Sequence, residues 1–168
     1  MTDESLRVSI PPRAVSAKAV QQTARQHWMS VLARAGADEM TALMARLPPP
    51  PSYERLRGPE AGLIMVRGAT GGSGAAFNLG EMTVTRCTVR IAEGRVGHAT
   101  VAGRDARQAE LAALLDAMLQ DPARQAELQA AIIAPLALRQ RASREATARR
   151  AAATRVEFFT MATMRTTE

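Results

Sequence analysis

Residues Gly62 to Asp105 read GLIMVRGATGGSGAAFNLGEMTVTRCTVRIAEGRVGHATVAGRD, and this stretch carries nearly all of the strand signal in the chain. Leu63 to Arg67 is β-rich and apolar. Gly68 to Gly74 is then too glycine-rich to hold a regular element unless something ties it down. Phe77-Asn78-Leu79-Gly80 leads into a long strand from Glu81 to Ala92. Along it Thr83, Thr85, Cys87, Val89 and Ile91 share one face, while Val84, Arg86, Thr88 and Arg90 share the other. The first face is the better core candidate near its C-terminal end, which turns Arg86 and Arg90 together toward solvent, an anion or a partner. Glu93-Gly94 is a hairpin turn. The return strand, Arg95 to Gly103, sets Ala99 and Val101 on one face and His98 and Thr100 on the other.

Helical sequence lies on both sides. Ser16 is placed to cap a helix running to Ala35, with Val20, Ala24, Trp28, Val31 and Ala35 at helical spacing and Gly36 as its stop. Trp28 reads as a packing anchor, and His27 beside it as a surface histidine. Asp38 is expected to cap a second helix through Leu47, with Met40, Leu43, Met44 and Leu47 as its stripe. Pro48 to Pro51 ends it as a stiff spacer. Tyr53 to Arg57 is a weaker strand signal, and Gly58-Pro59 reads as a turn.

After the hairpin, Asp105 caps a helix from Ala106 to Gln120 with Leu111, Leu114, Leu115 and Met118 as its buried stripe. Asp121-Pro122 restarts the helix, with proline at the favoured first position. Leu128, Ile132, Pro135, Leu136 and Leu138 imply burial, with a kink or break near Pro135. Arg139 to Arg155 is arginine and alanine, a helix either solvated or laid against another chain. Val156 to Met161 is apolar and β-like, suited to an edge strand or to docking on a partner. The pattern is α+β: an antiparallel β-sheet, built as a meander of hairpins, flanked by N-terminal and C-terminal helices. One domain spans 16–161, between a mobile tail at 1–15 and a frayed end at 162–168.

With 168 residues the chain is long enough for one buried core. Aromatic residues make up only 3%, so Ala, Leu, Val, Ile and Met must fill it. The net charge is +6, and because Lys18 is the only lysine the basic side chains are otherwise arginines. That bias suits carboxylates and phosphates, and base composition of the genome explains it as simply. The charge permits nucleic acid, an anionic ligand or an acidic partner chain. The scarcity of aromatics argues against base-stacking platforms. Cys87, the single cysteine, excludes an internal disulfide and a cysteine-rich metal site. No apolar run reaches bilayer length, and MTDESLRVSIPPRAV lacks the apolar centre of a signal peptide, so the expected location is cytoplasmic.

The glycine run invites comparison with phosphate-binding loops. The Walker pattern needs a lysine that is missing here. The dinucleotide pattern must open into a helix, whereas this run opens into a strand. A backbone nest for an anion and a plain strand connection both remain. The candidate binding or interface residues are Arg67, Gly71, Gly72, Gly74, Asn78, Glu81, Arg86, Arg90 and Arg104. The arginines either converge on a phosphate-rich ligand or are separate exposed ends of strand faces. Glu60 and Glu81 flank the region, but their spacing demands no acid–base chemistry. His98 lacks a second histidine nearby, so no metal site is expected, and Cys87 reads as a buried structural thiol. No catalytic residue is assigned.

Several blocks carry a resemblance. They are RQHWMSVLA at Arg25–Ala33, EAGLIMV at Glu60–Val66, GGSG at Gly71–Gly74, FNLGE at Phe77–Glu81 and MTVTRCTVR at Met82–Arg90. They continue with VAGRD at Val101–Asp105, IIAPL at Ile132–Leu136 and RVEFFTM at Arg155–Met161. In this order, from about residue 22 to 161, they resemble the PhnG family, the G subunit of the bacterial carbon–phosphorus lyase system. The departures are a longer N-terminal tail and the ending MATMRTTE.

The resemblance implies work inside a core complex with the H, I and J subunits. With H, I and the ATPase-like L subunit, the family supports displacement of adenine from ATP by a phosphonate, giving a ribose 1-phosphonate 5-triphosphate. It also implies that the nucleosidase chemistry lies on the I subunit. The later radical cleavage falls to J, with its iron–sulfur cluster and S-adenosylmethionine. The resemblance carries no catalytic residue onto this chain. It implies no cofactor bound here, ATP and a phosphonate as substrates of the complex, and neither nucleic acid nor membrane as a partner. Read from the residues alone, the alternatives are a free-standing anion- or nucleotide-binding enzyme and a basic nucleic-acid-binding protein.

Overall fold

The computed structural model describes residues 17–69 and 75–155. The expected cap at Ser16, the tail at 1–15, the glycines at 71, 72 and 74, the strand at 156–161 and the end at 162–168 lie outside the described residues. Two helices come first, α1 (Ala17–Leu32) and α2 (Ala37–Met44). Three strands follow, β1 (Tyr53–Gly68), β2 (Phe77–Ile91) and β3 (Val96–Ala102). Then come α3 (Ala106–Leu119), α4 (Pro122–Leu128), a π-helical turn at Gln129–Ile133 and α5 (Ala134–Ala153). The sheet is an antiparallel meander in the order β1-β2-β3. It is an α+β arrangement, as the alternation of strand and helix signals predicts.

α3 lies on one face of the sheet and is buried nearly all round from Ala112 to Leu119. Thr85, Cys87, Val89 and Ile91 of β2 and Ala99 and Val101 of β3 supply the sheet side of the core. On the helix side are Trp28, Leu32, Met40, Leu115, Leu119, Leu128, Ile132 and Leu136. Small residues set the spacing. A Cβ on Gly97 would overlap the carbonyl oxygen of Ala113 and lie 2.5 Å from the Ala117 amide nitrogen. Gly97 therefore lets β3 and α3 touch backbone to backbone, and alanines at 109, 112, 113 and 117 keep the layer thin. Gly94 (φ +83°) turns the β2–β3 hairpin, and Gly103 (φ +88°) turns β3 into α3; both lie in the region that favours glycine.

Asp105 caps α3 as expected, accepting from the Gln108 amide at 2.9 Å, and Asp121 caps α4 by accepting from Ala123 at 3.1 Å. Four expectations are corrected. Gly58-Pro59 is not a turn: β1 runs through it, with register shifts between Arg55 and Arg57 and between Arg57 and Glu60. β1 is an edge strand, so Pro59 has a side on which no amide is needed, and the bulges absorb its fixed φ. Asp38 does not cap α2. Gly36 precedes that helix, and the Asp38 carboxylate instead accepts from Arg107 at 2.8 Å.

The kink expected at Pro135 appears as the π turn just before it. Proline lacks an amide hydrogen and crowds the carbonyl four residues back, Ala131, which lies within that wider turn. The helix then continues without a stop. Leu138 is not buried but 69% exposed; Leu136 is the one fully buried residue of α5, with Ala137 packed beside it.

Candidate functional site

Two strands outrun the third. β3 pairs with β2 only between Val84↔Ala102 and Arg90↔Val96, whereas β1 and β2 stay paired from Gly62↔Val84 out to Gly68↔Phe77. The result is a two-stranded ribbon of about 20 Å projecting from the sheet. Leu63 and Met65 are exposed on it, opposite Thr83 and Glu81, as are Phe77, Leu79 and Met82. A further register shift at Val66/Arg67 lies near its tip.

Most of the described candidate residues lie on this ribbon or at its base. Arg67 is cross-strand from Asn78, and its guanidinium donates to the Ala76 carbonyl at 3.2 Å. Glu81 pairs with Met65. Arg86 stands between Glu60 of β1 and Thr100 of β3. Arg90, at the far end of β2, forms an ion pair with Glu54 at 3.4 Å. Arg104 borders a shallow groove of about 250 Å³ with Ala61, Gly62, Leu63 and Thr83. Asn78 and Arg90 are separated by about 40 Å of extended strand. The structure brings Arg67 and Asn78 together but strings Arg67, Arg86 and Arg90 along the sheet, so these three do not close around one small anion.

A second cluster was not anticipated from sequence. Asp116, in the middle of α3, is fully buried. Its Oδ1 accepts from Arg25 Nε at 3.1 Å and Trp28 Nε1 at 2.9 Å, and its Oδ2 accepts from Arg25 at 2.7 Å and from the His98 amide at 2.9 Å. One carboxylate thus ties α1, β3 and α3 together. Arg25 and Trp28 reach it side by side because they are one helical turn apart. The hydrogen bonds to Asp116 hold the Arg25 guanidinium above its ordinary pKa, partly offset by burial. With every lone-pair direction used, Asp116 is a structural anchor and not a free base. Its signal in the sequence was a lone acid inside the apolar run LAALLDAML, facing a tryptophan and an arginine three residues apart. Above it opens a groove of about 600 Å³ lined by Gln21, Gln22, Arg25, Trp28, Arg95 and Gln120. Arg95 is engaged there with Asp121 at 3.2 Å.

Among the described residues the remaining titratable groups form no catalytic array. His98 Nδ1 lies 3.1 Å from Thr88 Oγ1 on the exposed face. Cys87 is buried, with its thiol 3.5 Å from the Arg57 carbonyl, and burial pushes its pKa up. Burial, followed by the hydrogen bond to Glu110, raises the Tyr53 phenol in the same direction. Among the described residues no three His, Cys, Asp or Glu side chains sit close enough to hold a metal ion, and no helix is long and apolar enough to cross a membrane.

Comparison with known proteins supplies the context. A curated relative from Rhizobium meliloti (strain 1021), named "Alpha-D-ribose 1-methylphosphonate 5-triphosphate synthase subunit PhnG", is 44% identical over 137 residues, covering 82% of this chain and 87% of the relative. Residues 23–164 match the family described as "Phosphonate metabolism protein PhnG". That span takes in α1 from Thr23 onward, the whole sheet with its projecting ribbon, and every later helix, so the chain belongs to the PhnG family of phosphonate metabolism proteins.

Proposed function

We propose that this protein is a subunit of a ribose 1-methylphosphonate 5-triphosphate synthase, serving phosphonate catabolism in the cytoplasm. The observation that carries the reading is the 44% identity, over most of both chains, to a relative named as such a subunit. In this reading the complex is a transferase. It joins a phosphonate to ribose C1 of ATP and releases adenine, with H, I and J as core partners and the ATPase-like L subunit assisting. This chain supplies structure and contact surface, not the bond-breaking groups. The saturated Asp116 and the buried Cys87 support that division, since neither is free for proton transfer or attack.

Arg67, Gly71, Gly72, Gly74, Asn78, Glu81, Arg86, Arg90 and Arg104 are assigned to contact with a neighbouring subunit or an anionic substrate. The test is to produce the chain alone and together with the H, I, J and L subunits. The chain alone is expected to bind neither ATP nor a phosphonate, and the co-produced set to form one assembly that releases adenine from ATP when a phosphonate is added. ATP turnover by the isolated chain would instead support a free-standing enzyme. Within the assembly, Arg67→Ala and Arg86→Ala should lower adenine release without dissociating it. Normal release would remove those arginines from any site.

A further inference from the structure

Among the described residues, two parts of the molecule have no other element packed on them, and both leave the same end of the core. The first is the β1–β2 ribbon. Its base is fixed by the Gly103 amide donating to the Thr83 carbonyl at 2.9 Å, where β3 turns into α3. Beyond that point Leu63 is 59% exposed and Leu79 60%. β1 is also an edge strand along this whole length, and from Glu60 to Val66 its register is regular. A long, unbulged apolar edge is a liability in a free protein and a template in an assembled one.

The second part is the outer half of α5. Gln140 donates to the Val31 carbonyl at the end of α1 (2.9 Å), and Arg139 pairs with Glu39 of α2 at 2.7 Å. α3 begins at the same place: its Gln108 donates to the Ala33 carbonyl at 3.2 Å, and its Arg107 pairs with Asp38. The ribbon base, the start of α3, the end of α1 and the departure of α5 are therefore neighbours. From Arg141 to Ala153 the helix runs on for about 20 Å with its side chains exposed, apart from half-buried Ala146. It carries Arg141, Arg144, Arg149 and Arg150, with Arg155 just past its end, and Glu145 is the only acid in that run. Glu145 is taken by Arg141, and no salt bridge to a described residue engages the other four.

We infer that the ribbon and the outer half of α5 form a two-pronged grip on one other subunit of the synthase. That partner presents an apolar cleft, with a strand edge open to β1, beside a surface rich in carboxylates. The assignment rests on the subunit reading above. Charge decides against a second copy as the occupant, because that would set one chain of net charge +6 against another. Alanines between the arginines let the helix approach an acidic face closely, and exposed Leu138 gives it an apolar foothold at its root.

The test uses the full-length chain co-produced with the other synthase subunits. One variant carries Leu63→Glu with Leu79→Glu, and the other carries Arg144→Glu with Arg149→Glu. All four positions are exposed, so circular dichroism and Tm should match the unchanged chain. The ribbon variant is expected to weaken assembly by about 100-fold or more, as loss of apolar anchors at an interface centre does. The helix variant should weaken it by about 10-fold at 50 mM salt and lose most of the salt dependence of assembly.

Wild-type affinity in both folded variants overturns the grip and leaves the subunit reading standing. Failure of the unchanged chain to assemble with any synthase subunit overturns both. Self-association abolished by the ribbon substitutions, with subunit assembly intact, assigns the ribbon to a second copy and overturns the proposal. So does binding to a 20-base-pair DNA duplex that the helix substitutions abolish while assembly is unchanged.

Discussion

Replacing Asp116 by alanine is the most informative single perturbation of the fold. The carboxylate is fully buried and accepts from Arg25, Trp28 and the His98 amide. Removing it strands the Trp28 indole N–H, on a side chain 1% exposed, and the part-buried His98 amide of β3. Each unsatisfied buried donor costs about 1–3 kcal/mol. The Arg25 side chain is a third exposed and can turn into the groove above, so its loss adds little. The expected destabilisation is about 3–5 kcal/mol, equivalent to about 10–15 °C in Tm for a chain of this size.

Asp116→Asn should cost roughly half as much. The amide oxygen can still accept from Trp28 and from Arg25 Nε, but its NH₂ then faces two donors where Oδ2 had accepted from both. Trp28 is the only tryptophan, so its fluorescence reads the site directly. Urea titrations followed by tryptophan emission and by far-ultraviolet circular dichroism would give both numbers. A midpoint for Asp116→Ala that implies a loss under about 1 kcal/mol would refute the assignment of this carboxylate as the clamp between α1, β3 and α3.

Gly97→Ala should be as damaging as a far larger substitution elsewhere, about 2–4 kcal/mol, because its methyl overlaps backbone atoms of α3 that cannot rotate away. Thermal melts check it, with Gly62→Ala, where open space surrounds the added carbon, as the near-neutral control. Cys87 should resist thiol reagents in the native protein and react on unfolding, as its 1% exposure requires. Its pKa is raised above the ordinary 9.0 by burial, so its contribution to stability is full below that value and is lost as pH rises past it. Cys87→Ala should therefore show a shallower fall in stability above about pH 9 than the unchanged chain, read from melts across that range.

Much of this architecture is legible in residue order. Alternation in MTVTRCTVRI names the buried face of β2 correctly from Thr85 to Ile91 but misses Val84, which is 1% exposed, and Asp105 and Asp121 announce their helices as capping carboxylates. What escapes is set by partners distant in sequence. Gly58-Pro59 has the local chemistry of a turn, and only the edge position of β1 makes it tolerable as strand. Leu138 follows an apolar series, but it lies just past Leu136, the last buried residue of α5, and faces away from the core. Asp116 stands out only as a lone acid in an apolar run, and its use is set by Arg25, Trp28 and His98 arriving from α1 and β3. For the candidate arginines, sequence places Arg86 and Arg90 on one face but says nothing of the distance from Arg67, which the extended strand makes large.

The contrast between the two halves of the sheet bears on how such a chain persists. Where β3 and α3 cover β2, every second side chain is removed from water, and the Asp116 clamp fixes the layer. Where β3 stops, the β1–β2 pair continues with cross-strand hydrogen bonds but with Leu63, Met65, Phe77, Leu79 and Met82 left wet. Two paired strands without a covering layer are marginal in water. At about 25 cal/mol per Å² of apolar surface, the free energy that would stabilise the ribbon is available only when another surface covers it. Under the proposed grip the sheet is completed by association, so that the stability of the ribbon and the affinity of the assembly are one quantity measured in two ways.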